Sequence, residues 1–222
     1  MRHKKNLNKL LSNPNNSIAN MDDVEETIKL IDVINRTNKH DLVGYIVFNN
    51  CKVSSDIRTC LGIDSDVVLI MSKGKIKTKM DDIKIDSGTI YRAIEKSLVN
   101  PDVVVFDKQR NSYQFYVSLP KGEHRLVIQF DAIPLGIKDA KANIIMTIFK
   151  ESDYKRRIES IKKGNNSNLS LFYEARGGCT ALVPCPQSRV FDVVAPTSRE
   201  HSSACNNNIA NDDNDVKELK TK

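Results

Sequence analysis

A chain of 222 residues and 25.0 kDa has room for one domain of ordinary size with extensions, or for two small ones. Hydrophobic residues make up 40%, below the roughly 45–50% of a typical globular domain, so part of the chain is expected to lie outside any core. The net charge is +6, and its distribution is uneven: residues 71–163 carry 19 basic and 12 acidic groups, whereas the segments before and after are close to neutral. A basic domain attracts phosphate backbones by counterion release, although the same charge also serves simply to keep a small protein soluble.

The longest apolar run, Val67 to Met71, is far short of the roughly 20 residues that a bilayer span requires. The basic start Met1 to Asn6 is followed by no secretory apolar stretch. The expectation is therefore no membrane partner and a cytoplasmic protein. Cys51, Cys60, Cys179, Cys185 and Cys205 form neither a C-x-x-C pair nor a zinc-like set with histidine, so reduced thiols, no metal and no cofactor are expected.

In chain order, the Asn-rich residues 1–20 read as a flexible polar leader. Residues 21–66 read as a helix-strand extension. Its helix starts at an Asp22-x-x-Glu25 capping box and carries Val24, Ile28, Ile31 and Ile34 on one face; its strand is Val43 to Phe48. Residues 51–66 give no clear period. Val67 to Met71 is a second strand. In the following stretch Lys73, Lys75, Lys77 and Lys79 recur at period two, which places all four on one face of an extended segment.

Asp86 or Ser87 caps a helix carrying Ile90, Ile94 and Leu98, which Asn100-Pro101 ends because a residue before proline avoids the helical region. The period then changes from 3.6 to 2. Strands are expected at Val103–Phe106, Tyr113–Leu119, Arg125–Asp131 and Asn143–Phe149, followed by a basic helix from Ser152 to a stop at Gly164. The expected fold is α+β: a helix, a four-stranded antiparallel meander and a C-terminal helix, within a domain at 67–173 that follows the N-terminal helix-strand extension. Residues 174–222, rich in Gly, Pro, Ser and Asn, read as a disordered tail.

No P-loop, dinucleotide fingerprint, zinc helix or nucleophile elbow is present. His124 beside Arg125 at a hairpin corner is either a solvated turn histidine or a proton-transfer group next to a phosphate-holding cation. The lysine series is either a phosphate track, with Lys75 and Lys77 binding RNA and Lys79 stabilising charge, or an edge strand guarded against aggregation. Tyr116 either packs in the core or faces outward and stacks a base. Asn143 and Thr147 share one strand face and can contact phosphate or ribose, or line solvent; Lys150 follows on the same strand as a further RNA contact.

Taken together, the Leu98-Val99-Asn100-Pro101-Asp102 helix end, the paired strands after it, the Asn143-x-Ile145-x-Thr147-x-Phe149 strand and the Ile161-Lys162-Lys163-Gly164 helix end before Leu171-Phe172-Tyr173 carry a resemblance. The stretch 67–173 resembles the phage-associated nuclease domains of the barnase, EndoU, colicin and RelE-like group, as found at the C-terminal end of phage MuF-type head-morphogenesis polypeptides. The resemblance implies a metal-independent endoribonuclease or toxin-like domain, an RNA substrate, an immunity or antitoxin partner, and a cytoplasmic location or delivery to a target cell by a phage-related route. Such domains often carry a histidine before the sheet, where this chain reads Lys77-Thr78-Lys79-Met80. Catalysis would then fall to His124, Arg125, Lys79 and Thr147. The alternative is a phage-derived module that binds nucleic acid or protein without turnover.

Overall fold

The computed structural model describes residues 8–134, 141–175 and 178–179. Among the described residues nine strands form one mixed sheet: β1 (Ser17–Asn20), β2 (Tyr45–Lys52), β3 (Asp66–Ser72), β4 (Val103–Asp107), β5 (Ser112–Leu119), β6 (Gly122–Ala132), β7 (Ala142–Glu151), β8 (Leu169–Glu174) and the two-residue β9 (Gly178–Cys179). Across the sheet the order is β1-β2-β3-β7-β6-β5-β4-β8-β9. The helices are α1 (Val24–Arg36), α2 (Ser55–Leu61), α3 (Lys73–Ile83), α4 (Ser87–Val99) and α5 (Tyr154–Lys162).

This architecture corrects the expected one. The antiparallel meander β4–β7 is present, but it is the middle of a larger mixed sheet rather than a sheet of its own. The N-terminal strands join it through β3, which pairs in parallel with β7 at Leu69–Asn143 and Ile70–Ile144, and β8 adds to the other side along β4. The physical reason lies in the outer strands of the meander. Each retains a row of backbone donors and acceptors that need partners; 67–71 supplies them to β7 and 169–174 to β4, while 45–52 pairs in turn with the far edge of β3.

The second correction concerns Lys73 to Met80, which is the first part of helix α3 and not an extended segment. Ile76 and Met80 stand at i, i+4 and are both buried against the sheet. Lysine is a good helix former, and the burial of that pair decides the period. Elsewhere local signals act as read. Asp86 accepts from Thr89 N–H at 2.8 Å to cap α4, and α1 is capped one residue later than expected, with Asp23 accepting from Glu26 N–H at 2.9 Å. In the stretch without clear period, Ser54 caps α2 and Gly62 ends it at φ 64°, a left-handed conformation that glycine adopts at little cost.

One face of the sheet is covered by α1, α2, α3 and α4, whose Ile31, Ile34, Ile57, Leu61, Ile76, Ile90, Ile94 and Leu98 bury against Phe48, Leu69, Phe115, Leu126 and Ile148. The opposite face is covered at two places. A helical turn at 8–11 seats Leu10 on Val47, Ile70 and Ile144, and α5 seats Ile158 and Ile161 on Val103, Val105 and Tyr116. Residues 17–20, part of the expected leader, pair in parallel with β2. The expected tail lies outside the described residues beyond Cys179. Of the cysteines, Cys60 is disulfide-bonded, which departs from the expected reduced state. Cys51 is a free thiol in the core, where burial pushes its pKa up to about 12. No helix among the described residues is long and apolar enough to cross a membrane.

Candidate nucleic-acid interface

Between the two covered places, β5, β6 and β7 present a cross-strand row on the second face of the sheet. Tyr116 is opposite Arg125, and Arg125 is opposite Phe149. Residues directly opposite share a face, so the three side chains lie side by side. The Arg125 guanidinium lies 4.4 Å from the centre of the Phe149 ring and 6.0 Å from that of Tyr116. From α3, the Lys79 ammonium stands 4.8 Å from the Phe149 ring centre. From α5, Tyr154 packs on Tyr116 with ring centres 5.6 Å apart. Cation and aromatic thus alternate from Lys79 on α3 to Tyr116 on β5, each ring quadrupole attracting its neighbour's positive charge, and the row ends in the Tyr116–Tyr154 ring pair at α5.

A hydrogen-bonded chain locks this row. Arg125 Nε donates to Glu151 Oε1 at 2.6 Å, and Arg125 Nη1 donates to Gln114 Oε1 at 2.9 Å. Gln114 also accepts from the Tyr116 hydroxyl at 3.2 Å and donates through Nε2 to Asp107 at 3.3 Å. Burial raises the Tyr116 pKa, opposed by Arg157 and Arg125, so the hydroxyl remains a donor at neutral pH. The side chains of Arg125 and Glu151 are each only 12% exposed, so removing either partner would leave the other desolvated without its counter-charge.

The lysine series divides between two places because α3 is a helix. At about 100° per residue, Lys73 and Lys77 share one side and Lys75 and Lys79 another. Lys73 donates to Asn15 O at 2.7 Å and Lys77 to Asn35 O at 2.5 Å, so both are engaged by the N-terminal elements. Lys75 donates to Met146 O at 3.1 Å, on the stretch of β7 that extends past its pairing with β3, one residue before Thr147. A single four-lysine track is therefore absent. In its place Lys79 and Arg125 meet on Phe149, with Lys75 bonded to the Met146 carbonyl beside Thr147 on the same strand and Tyr116 buried behind Arg125.

Other candidate residues stand apart from this cluster. His124 and Arg125 are successive strand residues and point to opposite faces. His124 alternates with core residues Leu126 and Ile128, is 1% exposed, and donates from Nδ1 to Gly122 O at 2.9 Å. Asn143 ties strands together, donating to Val68 O at 3.2 Å and accepting from Asp131 N–H at 3.3 Å. Lys150 is exposed opposite His124. Glu151, Gln114, Asp107 and Phe149 were not singled out in the sequence. The available signal was Gln114 and Tyr116 alternating on a central strand, where polar groups must find partners. No group of three or more His, Cys, Asp or Glu side chains among the described residues could hold a metal ion.

Burial holds the His124 pKa below its ordinary 6.5, with the Gly122 carbonyl opposing the shift and nearby Lys150 adding to it. Between the folded and unfolded pKa values the unfolded chain binds more protons, so stability rises with pH through that window. The contribution is complete above pH 6.5 and is lost as the pH falls toward the folded value. Urea midpoints measured at pH 8 and pH 5.5 are expected to differ more for the natural chain than for His124→Gln. Equal differences in the two proteins would show that His124 does not carry this dependence.

Comparison of the chain with protein-family models, with curated proteins and with solved structures finds no match.

Proposed function

We propose that the chain binds single-stranded RNA across the Phe149 surface and cleaves it, with the 2′-hydroxyl of one nucleotide attacking the adjacent phosphorus. The observation that carries this reading is the convergence of Lys79 and Arg125 on one aromatic ring, with Lys75 bonded to the Met146 carbonyl of β7, one residue before Thr147. An aromatic ring flanked by fixed cations suits a strand that offers alternating bases and phosphates.

In this reading the bond from phosphorus to the 5′-oxygen breaks, leaving a 2′,3′-cyclic phosphate and a 5′-hydroxyl. Arg125 and Lys79 face the negative charge that grows on the non-bridging oxygens. Thr147 donates to one of these oxygens. The Glu151 carboxylate receives the 2′-hydroxyl proton, and the Lys79 ammonium supplies the proton that the departing 5′-oxygen takes up. His124 has no part, since it lies on the other face. Expression that harms a host cell and an immunity protein that covers this surface belong to the same proposal.

A second reading, binding without turnover, is favoured by a specific observation: the Arg125 guanidinium is held by both Glu151 and Gln114, which suits a fixed binding platform. Incubation with a uniformly labelled RNA in excess EDTA separates the two. Products ending in 2′,3′-cyclic phosphate are expected, and salt-dependent binding with intact RNA would replace the nuclease reading with the binding one.

A further inference from the structure

Beside the cross-strand row, a cleft of about 490 Å³ opens along α5 between that helix, the end of β7 and the 166–169 segment. Its volume falls within the roughly 300–1,000 Å³ range of small-molecule sites. The charge of its lining is unbalanced in use, although not in count. Glu151 is already neutralised by Arg125, and Asp153 is exposed at the helix start. Arg156 and Arg157, by contrast, enter no ion pair among the described residues.

Arg157 is the more unusual of the two. Its guanidinium is held against the Tyr116 hydroxyl by a side-chain hydrogen bond and its Nε is buried without a partner, so the group is fixed in the wall of the cleft with a positive charge that no carboxylate among the described residues pairs. The neighbouring polar groups are also left with donors. Ser160 Oγ accepts from Asn165 at 3.4 Å, which leaves its own proton to give. The side-chain oxygen of Asn166 accepts from Asn168 N–H at 3.0 Å, which leaves its amide nitrogen. Two guanidinium groups, a hydroxyl and an amide N–H₂ around one cavity make a lining of donors, complementary to a tetrahedral oxyanion carrying several acceptor oxygens.

We propose that this cleft is a binding site for a phosphate-bearing ligand of mononucleotide size, held by Arg156 and Arg157 with Ser160 and Asn166. The site does not depend on the ribonuclease reading, because none of the cations around Phe149 contributes to it except through the Arg125–Glu151 pair. The phosphate belongs either to a free nucleotide or to one residue of an RNA strand, and the same two arginines serve both.

Calorimetric titration of the full chain with nucleoside 3′-monophosphates, with the unphosphorylated nucleosides and with a five-nucleotide RNA tests the site. The phosphorylated probes are expected to bind and the nucleosides not. Arg156→Ala removes an exposed side chain and leaves the core intact, so it should weaken binding at least tenfold. Arg157→Lys, which keeps the charge but removes the planar guanidinium fork, should do the same. The Lys75→Ala/Lys79→Ala variant should bind mononucleotides like the natural chain, so the cleft is tested separately from the Phe149 surface. A loss seen on mononucleotides assigns the site to a free nucleotide, and a loss confined to the oligonucleotide assigns it to a strand. Unchanged binding of every probe in Arg156→Ala and Arg157→Lys, or no binding by the natural chain, would overturn the proposal.

Discussion

Replacing Arg125 by methionine is expected to destabilise the protein by about 3–5 kcal/mol, because it leaves the Glu151 carboxylate 12% exposed and without its counter-charge. In a chain of this size that corresponds to a fall of roughly 10 °C in the unfolding midpoint. The loss has several parts. Gln114 loses its strongest donor, Tyr116 and Phe149 lose the cation between them, and Glu151 keeps its desolvation without compensation. Most of the cost should therefore belong to the orphaned partner and not to the arginine itself. The double variant Arg125→Met/Glu151→Leu should recover the larger part of the stability, since a buried ion pair replaced by apolar groups of similar volume is often neutral. Thermal and urea unfolding of the natural chain and these two variants reads this recovery directly. A single variant less than about 1 kcal/mol below the natural chain would mean that water reaches the pair freely. The folded double variant is expected to yield no cyclic-phosphate products.

The second large effect separates members of one lysine series. Lys75→Ala/Lys79→Ala should weaken RNA binding by at least tenfold and flatten its salt dependence by about 1.4 in log–log slope, two contacts at ~0.7 each for a single strand. Lys73→Ala/Lys77→Ala, which removes the same formal charge, should leave both quantities nearly unchanged, because those ammonium groups lie on the other side of α3, against Asn15 and Asn35 and away from the Phe149 ring that Lys79 meets. Net charge is matched between the pairs, so long-range attraction cannot account for a difference. Filter binding across a salt series measures it. Equal losses in the two double variants would remove Phe149 as the centre of the interface.

The contrast between these pairs also marks where sequence reading succeeded and where it stopped. Helix α4 was legible because Asp86, the Ile90-Ile94-Leu98 stripe and Asn100-Pro101 all act within one stretch of chain. The hairpins of the meander were legible for the same reason. Helix α3 was not, since a period-two lysine pattern conceals the i, i+4 pair Ile76 and Met80, and only burial against the sheet decides between them. Tyr116 was open between two fates because a strand with one covered face and a strand with both faces covered alternate alike. The seating of Ile158 and Ile161 from α5 settles it as core. The partnership of β3 with β7 and the pairing of Arg125 with Glu151 join residues remote in sequence, and no local pattern announces them. Hence the sequence names Lys75, Lys79, Arg125 and Thr147 as residue types, whereas the Phe149 ring that Lys79 and Arg125 meet and the Glu151–Gln114 lock are not read from it.

The parallel seam between β3 and β7 also governs how the chain is made. Val68 is bonded to Asn143, 75 residues later in the chain, whereas β4 to β7 can zip with near neighbours. During synthesis β3 therefore emerges from the ribosome with one edge bare, and it waits until the last strand of the meander arrives to close it. Formation of that seam is the high-contact-order step of folding, and the interval before it is when the nascent chain is most exposed to joining a neighbour through the wrong edge.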